Sequence, residues 1–326
     1  MRVEIELGVL ADPHAYGAAV RAILETFDTG QHQWLIEDLE EVLASAYMRE
    51  RALWDACPEL AEKSFRKAID EPASPTRWKL MVSVQPGTSR DDTPRTRYES
   101  PGRAREILTE RLYVVVENGA ADWGFMKALI QTHSRETLAD AIAKHWIIEE
   151  HAGGSGNLRS RTEALLARKI ASWRIYVLMD SDSLTPGSLP ASNKKIVRAL
   201  ADLGVQVHPW LKRETENYLP YALLPNRDTL ANRRRSFMEL TREQQDHYDM
   251  KTGFTKRDGQ PVVPLEQQNL FQGISKWHLE HLCGGFGSNV GAAFQEATIS
   301  REELEVVCKT CPEELERVLD AIEELL

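Results

Sequence analysis

The sequence predicts an α/β protein with a mostly parallel sheet flanked by helices, and two features of residues 112–219 indicate it. First, short apolar runs alternate there with segments of helical length and spacing, which is the pattern of a parallel sheet with right-handed crossovers. Second, the runs Leu112–Val116 and Tyr176–Met179 are each followed directly by acidic residues. Continuous apolar runs of this kind are typical of strands buried in a parallel sheet. Because ligands of open α/β sheets bind beyond the carboxyl ends of the strands, these acids are candidate site residues.

The chain has 326 residues, which is enough for two or three domains. We predict an N-terminal α/β domain with an Arg-rich linker (residues 1–105), a central catalytic α/β domain (residues 106–225) and a C-terminal helical region (residues 226–326). The N-terminal domain shows no catalytic constellation, so a structural or partner-docking role is the preferred interpretation for it.

The N-terminal domain is predicted from two strand patterns and two helix patterns. In chain order these are an alternating strand (Val3, Ile5, Leu7), a helix from Ala15 to Phe27, a helix from Gln33 to Met48 and an alternating strand (Trp78, Leu80, Val82, Val84). Residues 86–105 are rich in Pro, Gly, Ser, Thr and Arg without a hydrophobic period, which predicts a linker or long loop. Its arginines are interpreted as solvated, with contact to a phosphate backbone as the alternative: Arg90, Arg95, Arg97, Arg103 and Arg105.

The central domain is predicted to alternate strands with helices. Its predicted strands are Leu112–Val116, Trp146–Ile148, Arg174–Met179 and Val205–His208. Its predicted helices begin at Asp122, after the glycine turn Gly153–Asn157, and at Lys194.

The C-terminal region is predicted to be mainly helical and polar. Lys251–Pro264 is expected to be a loop, and a helix is expected within Leu270–Cys283. Ser300–Glu303 has the pattern of a capping box at the start of a helix. The last helix is expected to open at Cys311 and to end at Leu326.

The composition limits where and how the protein acts. Hydrophobic residues make up 42% and charged residues 28% of the chain, as in ordinary soluble proteins, and no apolar run reaches membrane-spanning length. The first residues lack the apolar core of a signal peptide and four cysteines are too few for a disulfide scaffold, so a cytoplasmic location is expected. The net charge of −10 argues against broad phosphate neutralisation, so binding of nucleic acid would need local basic patches, a metal or a partner protein.

Carboxylates that follow two strands are predicted to form a divalent-metal site. Asp180 and Asp182 are separated by one residue and can face the same side, while Glu117 follows another strand and can face them. Two-metal phosphodiester chemistry requires carboxylates that hold divalent ions about 3.5–4 Å apart. Mg²⁺ prefers hard oxygen ligands of this kind.

The Asp-x-Asp motif alone is a weak signal, because it also occurs in sugar transferases, in phosphatases and by chance. The ordered set of motifs is more specific. In chain order it consists of Glu117-Asn118-Gly119, Asp122, the glycine turn, Asp180-x-Asp182 and Glu216-Asn217-Tyr218.

In these motifs the chain resembles the Toprim fold of topoisomerases, primases and nucleases. It is most similar to the Toprim nuclease domain of the overcoming-lysogenization-defect (OLD) family and its bacterial defence relatives. The resemblance covers residues 110–225, about a third of the chain. It implies a Rossmann-like, mostly parallel sheet and a metal-dependent DNA endonuclease or nickase that uses Mg²⁺ or Mn²⁺, with two ions in the site.

The resemblance also implies roles for individual residues. Glu117 would be a metal ligand or a general acid/base, and Asp180 and Asp182 would be the metal-binding pair. Gly153 and Gly154 would form the small-residue turn that lets the backbone approach metal and phosphate.

Three further residues are carried over, and one of them, Asp122, departs from the family pattern. Asp122 would be the second acid of the first motif, although it follows Glu117 by five residues where many members have four. Glu216 would be a ligand of the second metal. Lys276 is the candidate for a catalytic lysine that lies well downstream in this group of nucleases.

Two alternatives stay open at this point. In an aspartyl-nucleophile (HAD-like) phosphatase, Asp180 would be phosphorylated and Asp182 would act as the acid/base. That family usually has Thr or Val two residues after its second aspartate, where Leu184 stands here, and it does not require Glu117 or Glu216. The other alternative is a non-catalytic Toprim-like subunit that binds nucleic acid or a partner.

A structural zinc site is a further alternative. His278, His281, Cys308 and Cys311, with Cys283 nearby, are suitable ligand types. The histidines are closer in sequence than is usual for zinc, and Cys311-Pro312 suits the start of a helix. Packed helix residues are therefore the preferred interpretation.

The expected partners are DNA, a separate ATPase or sensor subunit and a second copy of the chain in a homo-oligomer. The sequence contains no Gly-x-x-x-x-Gly-Lys-Ser/Thr loop, so it does not carry a P-loop ATPase of its own. Nucleases of the resembled group often work with an ATPase, and a role in anti-phage defence is implied by that resemblance alone.

Overall fold

The computed structural model of the protein describes residues 1–50, 58–70, 79–85, 96–296 and 298–326. The chain divides into two compact units. The first unit consists of Met1–Leu112, Ala141–Ile147 and Asp320–Leu326, and the second of Tyr113–Asp140 and Ile148–Leu319. The predicted boundary between residues 225 and 226 lies inside the second unit.

The first unit contains a parallel sheet. Within its described residues, the strands β1 (Arg2–Ile5), β2 (Gln33–Trp34), β3 (Lys79–Val82) and β4 (Thr96–Glu99) pair in the order β2-β1-β3-β4. The helices in this part of the chain are Leu7–Leu10, Pro13–Asp28, Leu39–Ala44, Ala46–Arg49, Pro58–Asp70 and Pro101–Thr109. Apolar side chains of the sheet and of Pro13–Asp28, such as Val3, Leu24 and Leu80, are fully buried. The predicted N-terminal α/β fold is confirmed.

Several predictions for this unit were wrong in detail. Residues 33–48 do not form one helix, because Trp34 pairs with Val3 of β1 and Ser45 caps a new helix that starts at Ala46. Tertiary pairing therefore overrides the helical spacing of this segment. The predicted linker is structured from residue 96 onwards, as β4 and the helix Pro101–Thr109. Trp78 and residues 86–95 of the predicted linker, which include Arg90 and Arg95, lie outside the described residues.

A second parallel sheet is formed by the four strands predicted for the central domain. These are β5 (Leu112–Val116), β6 (Ile147–His151), β7 (Ile175–Met179) and β8 (Gln206–Pro209), in the order β6-β5-β7-β8. β5 pairs with β7 and β7 with β8, both in parallel. All five residues of β5 and all five of β7 are buried, as the continuous apolar runs predict. The predicted α/β architecture with a parallel sheet is thus confirmed.

Helices follow the strands of this sheet and continue to the end of the chain. In chain order they are Gly119–Thr132, Glu136–Ala143, Leu158–Ala167, Ala191–Asp202, Ala231–Met238, Arg242–His247, Lys276–Leu282, Ala293–Glu296, Arg301–Val307 and Glu314–Glu324. The first helix begins earlier than predicted: its N-cap is Asn118, and Asp122 lies within its first turn. Ser300 and Glu303 form the predicted capping box.

The predicted loop Lys251–Pro264 contains an antiparallel hairpin of β9 (Thr255–Arg257) and β10 (Gln260–Val262). Asp258 and Gly259 connect the strands with positive φ angles of 51° and 75°. An Asp-Gly pair is a strong hairpin signal, but these polar strands lack the alternating apolar residues that would have revealed them. Within the described part of the chain, no helix has the length and apolar character needed to cross a membrane.

Candidate metal centre

Strands β5 and β7 bring Glu117 and Asp180 to the same edge of the sheet. Each residue directly follows its strand, and the two strands are parallel neighbours, so their carboxyl ends coincide. Glu117 Oε1 accepts a hydrogen bond of 3.0 Å from the backbone N–H of Asp180. The two predicted residues therefore lie side by side.

Asp180 belongs to a cluster of three carboxylates. Oxygen atoms of Asp180, Glu214 and Glu216 lie within 4.8 Å of one another, and we call this group the acidic cluster. Glu214 and Glu216 are buried, with 6% and 0% of their surface exposed. Burial of several carboxylates in one place is costly unless a cation compensates their charge.

The loop that follows β8 holds Glu214 and Glu216 in place. The side chains of Glu214 and Asn217 form a reciprocal capping box at the N-terminus of a short 3₁₀ helix. The backbone N–H of Thr215 donates to Asp180 Oδ1 at 2.9 Å, which joins this loop to the end of β7. The loop is further fixed by the buried ion pair of Lys212 Nζ with Asp246 Oδ1 at 2.7 Å.

Asp122 adjoins the acidic cluster from the helix Gly119–Thr132. Its Oδ2 accepts the N–H of Asn118 at 2.8 Å. Its Oδ1 lies 2.9 Å from the hydroxyl of Thr215, which in turn lies 3.3 Å from Glu216 Oε2. Asp122 thus stabilises the first turn of its helix and adds negative charge beside Glu216.

Asp182 does not join Asp180 on one side as the alternating pattern predicted. Strand β7 ends at Met179, and Asp182 adopts a left-handed conformation with φ of 52°. Its side chain is exposed, and its Oδ2 accepts a hydrogen bond of 3.2 Å from Asn193 Nδ2. The alternation of a strand does not apply to residues in a loop, and Asp182 is not among the three carboxylates of the acidic cluster, although its charge acts on Glu117.

Gly153 and Gly154 lie beside Glu117 and form hydrogen bonds with its backbone. Their N–H groups both donate to the carbonyl oxygen of Glu117, at 3.0 and 3.1 Å. Their φ angles of 73° and 118° favour glycine. Because both N–H groups already donate to Glu117, a phosphate that approached this turn would need other hydrogen-bond donors.

The lysine that contacts the acidic cluster is Lys251, which sequence reasoning did not single out. Its Nζ lies 3.0 Å from Glu214 Oε2, 3.0 Å from Glu216 Oε2 and 3.7 Å from Asp180 Oδ2. The candidate Lys276, by contrast, has a side chain that is 64% exposed and pairs with Glu280 at 3.9 Å on its own helix.

Burial and mutual repulsion raise the pKa values of the carboxyl groups. Burial, together with the charges of Asp182 and Asp122, raises the pKa of Glu117 to about 7. Burial and the neighbouring Glu216 raise the pKa of Glu214 to about 7. Burial also raises the pKa of Asp180 well above its usual range. Although burial lowers it, the pKa of Lys251 is raised overall by the surrounding carboxylates.

The residues of the acidic cluster fit a divalent cation with hard oxygen ligands. Glu216 Oε1 is buried and has no hydrogen-bond partner among the described residues. A Cβ atom at Gly291 would lie 2.8 Å from this oxygen, so only glycine leaves it room there. An unpartnered buried oxygen with two further carboxylates nearby suits Mg²⁺ or Mn²⁺.

The raised pKa values predict that the metal-free protein loses stability as the pH rises. Between about pH 4.5 and 7 the folded protein binds more protons than the unfolded chain at Glu117, so the free energy of unfolding falls with rising pH. Glu117 alone contributes about 3 kcal/mol to this loss. Thermal unfolding should therefore give a lower midpoint at pH 8 than at pH 6.

The matched test compares Glu117→Gln with Glu239→Gln, an exposed glutamate of the same unit. Glu117→Gln should flatten the pH dependence, and Mn²⁺ should stabilise the wild type more at the higher pH. A pH profile that Glu117→Gln leaves unchanged would contradict this account.

Sequence reasoning missed two members of the site for different reasons. Glu214 precedes Glu216 by two residues, and this Glu-x-Glu spacing repeats that of Asp180-x-Asp182, so a signal was present. Lys251 has no local signal, because its position depends on contacts distant in sequence. One of these is the N–H of Met250, which donates to Glu214 Oε1 at 2.6 Å.

The zinc alternative receives no support from the described residues. Among them, the acidic cluster is the one group of three or more His, Cys, Asp or Glu residues with ligand atoms this close together. His278 Nδ1 lies 3.1 Å from Ser236 Oγ, and His281 Nδ1 lies 2.8 Å from the carbonyl oxygen of Trp277. Cys308 and Cys311 are buried.

Comparisons of the chain with protein-family models, with curated proteins and with solved structures found no match. The function is therefore inferred from the site and from the sequence motifs.

Proposed function

We propose that the protein is a metal-dependent phosphodiesterase that cleaves DNA, as an endonuclease or nickase of the Toprim type. The observation that carries the proposal is the acidic cluster of Asp180, Glu214 and Glu216, which adjoins Glu117 and Asp122 at the carboxyl edge of a parallel sheet. Carboxylates gathered at such an edge are what metal-assisted phosphoryl chemistry requires.

The roles of the side chains follow from their surroundings. Asp180, Glu214 and Glu216 would hold the metal, which when bound polarises the phosphate and activates water. Glu117, with a pKa of about 7, can accept or donate a proton at neutral pH. Lys251 brings a positive charge to within 3.0 Å of two of the carboxylates and can face the negative charge of a phosphate.

The wider biological role rests on the resemblance of the motifs. By that resemblance the protein would be the cytoplasmic effector of a bacterial anti-phage defence system and would work with a separate ATPase or sensor subunit. A partner of this kind would also help a chain with a net charge of −10 to hold DNA.

The proposal is tested by cleavage of supercoiled plasmid DNA with Mg²⁺ or Mn²⁺. Cleavage should stop when the metal is chelated with EDTA and should return when Mn²⁺ is added back, because the carboxylates need a cation to act on phosphate. Glu216→Gln should reduce cleavage about 10²-fold or more, since it removes one charged ligand. Glu239→Gln is the control and should leave the rate unchanged.

The same pair of variants separates the phosphatase alternative from the nuclease. An aspartyl-nucleophile phosphatase should hydrolyse a phosphate monoester and tolerate Glu216→Gln. Metal-dependent monoester hydrolysis without plasmid cleavage, unchanged by Glu216→Gln, would overturn the nuclease proposal.

A further inference from the structure

The second unit contains a cavity of about 680 Å³. Its walls come from the helix Gly119–Thr132, from strand β6 and from the short helix Ala293–Glu296. Pockets of this size hold small molecules or single building blocks of a polymer. No role has been assigned to these walls so far.

Two chain segments belong both to this cavity and to the surroundings of the acidic cluster. The first runs from Glu117 into the lining residues Gly119 and Ala120. The second begins at Gly291, where a Cβ atom would lie 2.8 Å from Glu216 Oε1, and continues to the lining residue Gln295. Gln295 Nε2 donates to the carbonyl oxygen of Ala120 and joins the two segments. The cavity and the acidic cluster are therefore linked by two short chain segments.

The helical wall of the cavity combines an aromatic ring with polar groups. Trp123, Lys127 and Gln131 are spaced four residues apart, so they form one stripe along the helix. Trp123 is buried, whereas Lys127 and Gln131 are exposed and free to meet a ligand. The accessible groups of this wall are therefore mainly the ammonium of Lys127 and the amide of Gln131, because only 5% of the surface of Trp123 is exposed.

The opposite wall is built by Glu149 and His151 of β6. These residues alternate along the strand and therefore share a face. Glu149 Oε1 lies 2.6 Å from His151 Nε2 and orients the imidazole ring. The ring lies against Gly119, and a Cβ atom there would displace it from this position.

These groups favour a nucleobase over other small ligands. Glutamine amides pair with the donor and acceptor edges of bases, and aromatic and imidazole rings stack on base faces. The carboxylate of Glu149 disfavours an ion of high negative charge in the cavity itself, whereas Lys127 can reach a phosphate that flanks the base. The lining therefore matches one nucleotide of a strand better than a free polyanion.

We propose that this cavity receives one unstacked nucleotide of the substrate strand, so that the adjacent phosphodiester lies at the acidic cluster. This inference rests on the proposed function and adds the substrate class: single-stranded or locally unpaired DNA. A base in a regular duplex is stacked and paired and cannot enter the cavity without being extruded, whereas a single strand has no such requirement.

The test measures binding in the absence of cleavage. Fluorescence anisotropy compares a single-stranded DNA of about 12 nucleotides with the duplex of the same sequence, in EDTA and in Ca²⁺. The single strand should bind at least about tenfold more tightly than the duplex, because a base of the duplex is paired and cannot stack on the cavity wall. A 2-aminopurine placed at successive positions of the strand should change its fluorescence strongly at the position that enters the cavity.

The double variant Lys127→Ala/Gln131→Ala removes two exposed polar groups of the cavity. It should weaken binding of the single strand about tenfold and leave duplex binding unchanged. The matched control is Lys195→Ala/Gln272→Ala, which removes an exposed lysine and an exposed glutamine elsewhere in the unit and should bind like the wild type.

Three results would overturn the inference: equal binding of single strand and duplex, wild-type binding by the Lys127→Ala/Gln131→Ala protein, or no binding of DNA. Because binding is measured without turnover, its outcome is independent of plasmid cleavage. Single-strand binding that depends on the cavity but is never followed by metal-dependent cleavage would refute the proposed function and leave the nucleotide site standing.

Discussion

Asp180→Asn is expected to reduce DNA cleavage about 10³-fold or more while the protein stays folded. Asp180 is one of the three carboxylates of the acidic cluster, and the substitution removes the charge that a divalent ion would meet there. The asparagine Oδ1 can still accept the N–H of Thr215, so the link between β7 and the loop after β8 is kept. Initial rates of plasmid nicking at saturating Mn²⁺ measure the loss, and calorimetric titration measures the weaker Mn²⁺ binding.

The matched control for this variant is Asp202→Asn, since Asp202 is an exposed aspartate of the same unit. It should cleave and bind Mn²⁺ as the wild type does. If Asp180→Asn kept more than a tenth of the wild-type rate, the acidic cluster could not be the centre of the reaction.

Lys251→Met is expected to have opposite effects on folding and on metal affinity. Without metal, loss of the ammonium leaves the carboxylates of Glu214 and Glu216 facing one another uncompensated. This should cost about 3 kcal/mol, the lower end for breaking a buried ion pair, because the Lys251 side chain is 28% exposed. The thermal midpoint should fall by about 6–12 °C in EDTA.

With metal present, the same substitution should strengthen binding. An ammonium near the carboxylates repels a divalent cation by several kcal/mol at an effective dielectric constant of about 20. Mn²⁺ should therefore bind about tenfold more tightly or better to Lys251→Met, and it should restore the lost thermal stability. Cleavage should nevertheless fall, because no positive side chain then faces the phosphate.

Lys195→Met serves as the control, since it removes an exposed lysine and should change none of these quantities. Unchanged stability in EDTA together with unchanged Mn²⁺ affinity would show that Lys251 does not compensate the acidic cluster.

The sheet and two of its acids were predictable because the information is local. The apolar runs of β5 and β7 end directly at Glu117 and Asp180. Apart from one tyrosine hydroxyl in each, the two strands contain no polar side chain, so their ends are clear from the sequence. Because residues that follow adjacent parallel strands lie at the same edge of the sheet, their proximity can be predicted from the sequence alone.

Other parts of the site depend on contacts that no local pattern contains. Asp182 leaves the side of Asp180 because the backbone turns into the left-handed region just after β7. Lys251 reaches the acidic cluster through a turn that is anchored by Arg213, whose guanidinium pairs with Asp249 at 2.8 Å. Such long-range anchors explain why the sequence did not single out Lys251, whereas Lys276 pairs with Glu280 one turn away on its own helix.

Two groups that touch the carboxylates, the ammonium of Lys251 and the backbone of Gly291, are encoded after residue 225. A gene split or fusion that transferred only residues 112–225 would carry Asp180, Glu214 and Glu216 without the ammonium of Lys251. The recipient would lack the positive charge that compensates these carboxylates when no metal is bound. The shortest chain segment that contains the complete site therefore extends at least to Gly291.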